Sequence, residues 1–154
     1  MSELLSPLVA EWAGRVPTPV DVTSTDSVFT AADGTSAWIV TRVAGRVVTL
    51  SDEIRGMRRA VVTTNDAQVI DRYLVTLFAR LALGLHAQLP PDGDSIPLVP
   101  APAADGAPEP LVTLGGPDGL WAQSPVSRTA ELRLISSLVR FTTEQLDQFF
   151  RAQL

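Results

Sequence analysis

The chain is expected to fold as one α+β domain, an antiparallel β meander packed by a long amphipathic helix, with a short N-terminal helix and two C-terminal helices. Three observations predict this. Short β-branched runs separated by turn signals fill residues 28–64, and a single helical periodicity follows over 65–85. The 154 residues, read as one unit over 1–154, are about one domain's worth, enough to bury a core without disulfide or metal staples.

The elements follow in order. Ser6-Pro7 is a capping residue with proline at the first helical position, and Leu5, Leu8, Val9 and Trp12 recur at helical spacing as far as Gly14. Pro17 and Pro19 end that helix. Residues 28–32 and 35–43 flank Asp33-Gly34, a strong signal for a two-residue hairpin turn, and Ala44-Gly45 is expected to make the next turn. Residues 46–51 supply a further strand, and AVVTT at 60–64 another, after the charged loop DEIRGMRR.

Asn65 is placed as a helix cap, with Gln68 three residues on and Asp66 in the first turn, where negative charge suits the helix dipole. The apolar positions Val69, Ile70, Tyr73, Leu74, Leu77, Phe78, Leu81 and Leu85 form the expected buried stripe, with Asp71, Arg72, Thr76 and Arg80 mostly off it. Pro90-Pro91 stops the helix. The stretch 90–110 holds seven of the 12 prolines and reads as an extended surface crossing. Residues 111–114 and 120–124 flank GGPDG and suggest a small hairpin. From Ser127 a helical pattern puts Leu132, Ile135, Leu138 and Val139 on one side. Thr142 with Gln145 makes a capping box for a last helix that buries Leu146, Phe149 and Phe150.

Composition narrows function. There is no cysteine, which removes disulfides and thiolate metal sites and fits a reducing cytoplasm. The N-terminal MSELLSPLVAEWAG lacks the basic start of a signal peptide, and no run of about 18 apolar residues predicts a membrane span, so a cytoplasmic location is expected. All 12 basic residues are arginine, which reads as GC-rich coding bias. With 17 acids the net charge is -5, which argues against a general nucleic-acid or anionic-membrane binder and suits a basic protein partner.

The residues that catalysis needs are scarce, so no enzyme activity and no cofactor or metal are expected. His86 is the single histidine, at the end of the long helix, with no nucleophile elbow near it. Asp92-Gly93-Asp94 resembles the start of a calcium loop, but the later ligands and the closing glutamate are missing, so it reads as a solvated turn. The glycines of GGPDG lack a following lysine and read as a turn rather than a phosphate cradle. The two terminal helices have the outline of a helix-turn-helix. The second, TEQLDQFFRAQ, carries two acids and one arginine where DNA recognition needs donors, so core packing is the better reading.

One local cluster stands out. Asp52, Glu53, Arg55, Arg58 and Arg59 bracket Ile54 and Met57. Charged loops are usually only solvated, yet apolar residues set among alternating charge also describe an interface, because methionine and arginine are enriched in interface cores. Asp52, Glu53, Ile54, Arg55, Met57 and Arg58 are therefore the candidate partner-binding residues.

The order of features resembles an actinobacterial family of polymorphic-toxin immunity proteins, immunity family sixty-one. Its best-known members neutralise NAD-degrading toxins of the tuberculosis necrotizing toxin kind. The similarity rests on the early tryptophan helix LSPLVAEWAG, the paired aromatic strands of VFTAADGTSAWIV, the helix VIDRYLVTLFARLAL with Asp71-Arg72-Tyr73-Leu74, and the tail ELRLISSLVRFTTEQLDQFF. It covers most of the chain apart from the proline-rich crossing. Where the family carries glycine and acids after its leucine-phenylalanine pair, Phe78 is followed by Ala79-Arg80-Leu81, so the helix is expected to continue. The resemblance implies an intracellular antitoxin that binds a cognate toxin domain and blocks its NAD-binding cleft. Two other readings use the same features: a secretion chaperone or adaptor, and a helix-turn-helix regulator.

Overall fold

The computed structural model describes residues 5–17, 20–23, 28–31, 34–84, 86–91, 96–103 and 105–154. Helix α1 (Pro7–Gly14) leads into strands β1 (Val20–Thr23), β2 (Val28–Ala31), β3 (Ser36–Ala44), β4 (Val47–Ile54) and β5 (Met57–Thr64). Helix α2 (Ala67–Leu83) follows, then β6 (Leu98–Ala101), β7 (Leu111–Gly115), β8 (Trp121–Pro125), and helices α3 (Thr129–Leu138) and α4 (Thr143–Arg151). The fold is α+β. The described strands form one antiparallel sheet in the order β1-β2-β3-β4-β5-β8-β7-β6.

Strand alternation sends Val40, Val48, Leu50, Val62, Leu114 and Ala122 into the core, where they meet Val69, Ile70, Leu74 and Phe78 of α2. The opposite face carries half-buried polar side chains, among them Thr49 and Thr63, whose hydroxyls lie 2.8 Å apart across β4 and β5. One dry face and one wet face is the usual state of an antiparallel sheet. Phe78 is the aromatic centre of the core, with ring centroids 5.5 Å from Phe29 and 5.2 Å from Trp38. Helices α1, α3 and α4 surround α2.

The caps of α1 and α4 follow the sequence reading: Ser6 Oγ accepts from the Leu8 amide, and Thr142 and Gln145 form a complete capping box. The cap of α2 does not. Asp66 holds that position and accepts from the Gln68 amide at 3.0 Å. Asn65 is engaged elsewhere, accepting from the Trp121 amide and donating to Gly119 O, so it ties the start of α2 to the β7–β8 turn. The helix continues beyond Phe78 as expected but stops at Leu83, well before the prolines, because Gly84 takes a φ of +88°. Leu81 lies in the last turn and is 43% exposed, which removes it from the expected stripe. Leu85 lies outside the described residues, as do Asp33 and the Asp92-Gly93-Asp94 turn.

Two polar residues placed off the stripe are buried instead. Thr76 is fully covered, and Asp71 accepts a 2.8 Å hydrogen bond from the Ser6 amide. Burial lifts the Asp71 carboxyl to about 6, with the Ser6 amide pulling the other way. A second buried acid, Asp147 of α4, accepts from Trp12 Nε1 at 2.9 Å and from Arg151 Nε at 2.8 Å. These bonds fasten α1 to α2 and α4. They also commit the helix read as a possible DNA reader to the core, where Leu146 and Phe150 are fully buried.

Two loops of the sequence reading are strands. The proline-rich crossing contains β6, which pairs with β7 opposite Leu111 to Leu114; Pro100 sits there because an edge strand has one side with no ladder bond to lose. The charged segment DEIRGMRR is the far end of the β4–β5 hairpin.

Candidate partner interface

The hairpin end is built by a two-residue turn. Arg55 and Gly56 have φ of +53° and +80°, both left-handed, as a type I′ turn requires. Glycine takes that conformation freely, whereas arginine does so with some strain. The Arg55 amide donates to Thr35 O at 3.0 Å, which props the turn against the start of β3.

Alternation along the hairpin sorts the candidate residues. Asp52 points inward, is 9% exposed, and accepts from Arg128 Nη2 at 2.6 Å. Arg128 also reaches Glu131 at 3.3 Å. Burial works against the Arg128 charge, but Asp52 and Glu131 more than offset it, and the pKa lies above the ordinary arginine value. Tyr73, beneath this network, is pushed up to about 12, first by burial and then by Glu131. Glu53 and Arg58 pair across the strands at 3.3 Å in a largely solvated contact. At the tip, Ile54 and Met57 are 51% and 58% exposed and face each other in register. They line, with Arg55 and Arg59, a hollow of about 300 Å³ floored by the Asp52–Arg128 pair.

The candidates therefore divide. Ile54, Arg55 and Met57 present surface, Glu53 and Arg58 rim it, and Asp52 anchors the hairpin to the segment before α3. Sequence reasoning missed Arg128, Glu131 and Thr35, which hold the tip from distant parts of the chain.

It also missed a groove beside the tip. Of β5, only Thr63 and Thr64 pair with β8, opposite Gln123 and Ala122. Above them the two strands part, leaving a space of about 820 Å³ whose walls include Ala60, Leu111, Pro108 and Pro125. A β-bulge supplies the cause. The register steps from Leu50–Val62 to Ser51–Ala60, so Val61 is the extra residue, and such an insertion bends and twists a strand. The sequence signal is AVV, two successive valines that are both buried where strict alternation would expose one.

A third hollow, of about 480 Å³, lies at the start of α2 beside Arg42, Arg46 and Arg72. The Nε and Nη1 of Arg72 are buried without hydrogen-bond partners among the described residues, and burial lowers its pKa. Those two atoms are closed off from solvent and so do not open into the hollow. His86 is exposed beyond the end of α2. Among the described residues no three His, Asp or Glu side chains are grouped to hold a metal ion, and no helix is long and apolar enough to cross a membrane.

No family model matches the chain, and no curated protein matches it. Among solved structures, Rv3902c from M. tuberculosis is similar, with a TM-score of 0.70 over 95% of this chain and 88% of that one. The identity is 14%, so what the two chains share is the fold.

Proposed function

We propose that this chain is an immunity protein that binds a cognate secreted toxin domain inside the producing cell and occludes its active site, the toxin being of the NAD-degrading class. The observation that carries the reading is the β4–β5 hairpin end. Ile54 and Met57 form an exposed apolar pair ringed by charge, on a tip held by Thr35 and by the Asp52–Arg128 pair. An obstructing protein needs a rigid scaffold, a protruding contact and complementary charge, and no reacting groups. Net charge of -5 favours long-range approach to a basic cleft, as one that holds a pyrophosphate is expected to be, while Arg55 and Arg58 at the tip call for acidic residues at the point of contact. The family resemblance supplies the toxin class.

The test is co-expression with the toxin domain encoded in an adjacent reading frame. Cells are expected to survive, and the purified protein to suppress NAD hydrolysis at near-equal stoichiometry. Failure of both against every neighbouring toxin domain sinks the proposal. Capture of a secreted protein whose activity is unchanged in the complex selects the chaperone reading instead.

A further inference from the structure

We propose that the groove between β5 and β8 receives an extended, carboxylate-bearing segment of the partner protein, which adds to the open edge of β5 as a further strand. The inference deepens the partner-binding reading above and rests on it.

The register decides which backbone groups are available. In a two-residue hairpin the residues flanking the turn, here Ile54 and Met57, exchange the closing hydrogen bonds, and bonded and non-bonded pairs then alternate. Asp52–Arg59 is accordingly a bonded pair, while Glu53–Arg58 and Ser51–Ala60 are non-bonded. The amide and carbonyl of Arg58 and of Ala60 therefore point away from β4. They point into the groove, which both residues line, and β8 reaches β5 only at Thr63 and Thr64. An exposed edge of this kind is a template for strand addition. Apolar walls at Leu111, Pro108 and Pro125 offer alternate side chains a place to pack.

Charge selects the occupant. Arg58 is paired with Glu53, and Arg128 with Asp52 and Glu131. Arg59 makes no ion pair among the described residues; its Nη2 lies 3.2 Å from the sulfur of Met57. Glu109, on the far wall, is held by the Ser127 amide and hydroxyl at 3.2 and 2.6 Å. The groove thus offers an arginine that no ion pair holds, its charge felt by Glu109, whose carboxylate is occupied by Ser127, beside an open row of backbone donors and acceptors. Two copies of this chain joined edge to edge through β5 would set Arg58 and Arg59 against their own counterparts, which like charge disfavours.

The test selects random linear peptides displayed on phage against the full chain at low ionic strength. Peptides with carboxylates alternating with β-branched residues are expected to be enriched, and their binding to slow hydrogen exchange at the Arg58 and Ala60 amides. Affinity is expected to fall roughly tenfold or more in Arg59→Glu and in Ala60→Pro. The proline removes an outward donor and no bond to β4. If Ala60→Pro melts below wild type, Arg59→Glu and the exchange protection decide. No enrichment, binding without protection of those two amides, or a dimer closed through β5 overturns the proposal. Peptide capture without toxin inhibition leaves strand addition standing and removes the immunity reading. Toxin inhibition undiminished in Ala60→Pro does the reverse.

Discussion

The two ends of the β4–β5 hairpin are made of the same strands and put to opposite uses. At the inner end Val48, Leu50, Val62 and Thr64 are buried, with α2 packed across the strands. At the outer end Ile54 and Met57 are open to solvent, and β5 has left its neighbour β8. The change falls at the bulge at Val61. Up to that point side chains are chosen by the core; beyond it Asp52 is still buried against Arg128, but the apolar residues at the turn, Ile54 and Met57, are left about half exposed. The proposed interface rests on that exposed pair, since a partner can bury there what folding leaves open.

The largest effect is expected at the inner end. Phe78→Ala removes the ring that meets Phe29 and Trp38 and leaves a cavity under the sheet, at a cost of about 3–5 kcal/mol. Denaturant unfolding measures it, and partner binding should fall only as the folded fraction falls. A loss below about 1 kcal/mol would mean the core closes around the gap and the inner end is less committed than its burial implies.

Asp52 lies between the two ends, and its variant tests whether the tip is held from below. Asp52→Ala leaves Arg128 with Glu131 alone in a site where both partners are mostly covered, for an expected cost of about 1–3 kcal/mol. Thermal melting gives the stability. Hydrogen exchange at residues 52–59 gives the location, and loosening confined to the tip is expected to accompany the loss.

The helix layer contains a buried charge that works against the fold. Asp71 ionises near 3.8 in the unfolded chain and near 6 in the folded one. Between those values the folded chain keeps a proton the unfolded chain has lost, so stability falls as pH rises through the window and then levels off. Asp71→Asn keeps an acceptor for the Ser6 amide and removes the charge. It is expected to be more stable than wild type near neutral pH by up to about 3 kcal/mol, with the gain vanishing below about pH 4. Equal stability at neutral and acid pH would show that Asp71 is better solvated than its burial suggests.

The contrast between the two ends also explains what could be read from the chain alone. The inner end was legible because burial imposes a period: valines and leucines alternate in β4, and Val69, Ile70, Leu74 and Phe78 recur on α2. Local caps were legible where the capping side chains and the amides they meet lie within three residues of each other and no remote partner competes, as at Ser6 and Thr142. The outer end was not. Ile54-Arg55-Gly56-Met57 lacks the Asn-Gly or Asp-Gly that marks a type I′ turn, and its charges hide the strand alternation on either side. The groove was less legible still, since it follows from a one-residue bulge in β5 meeting a strand some sixty positions later in the chain. Asn65 reads as a cap in sequence but acts as a bridge for a related reason. Its partners Gly119 and Trp121 are remote in sequence, and nothing local distinguishes a cap from a bridge.

The smallest effect on stability is expected at the tip, and it is the sharpest test of the comparison. Ile54→Asp with Met57→Asp places two carboxylates in solvent at positions more than half exposed, next to Arg55, Arg58 and Arg59. Removing exposed apolar surface changes folding by no more than about 0.5 kcal/mol; the two carboxylates stand opposite one another and repel, and the nearby arginines offset that repulsion. A partner that buries both side chains would lose two apolar contacts and have to desolvate two carboxylates. Binding should then weaken by at least about 2 kcal/mol, some thirtyfold, without a matching change in melting temperature. Titration calorimetry against the toxin domain reads the first quantity and a thermal melt the second. If the variant binds as wild type does, the exposed pair is ordinary surface, and the contact has to be sought along the β5 groove. If it binds less well and also melts early, the tip belongs to the core after all, and the two ends of the hairpin are not different in kind.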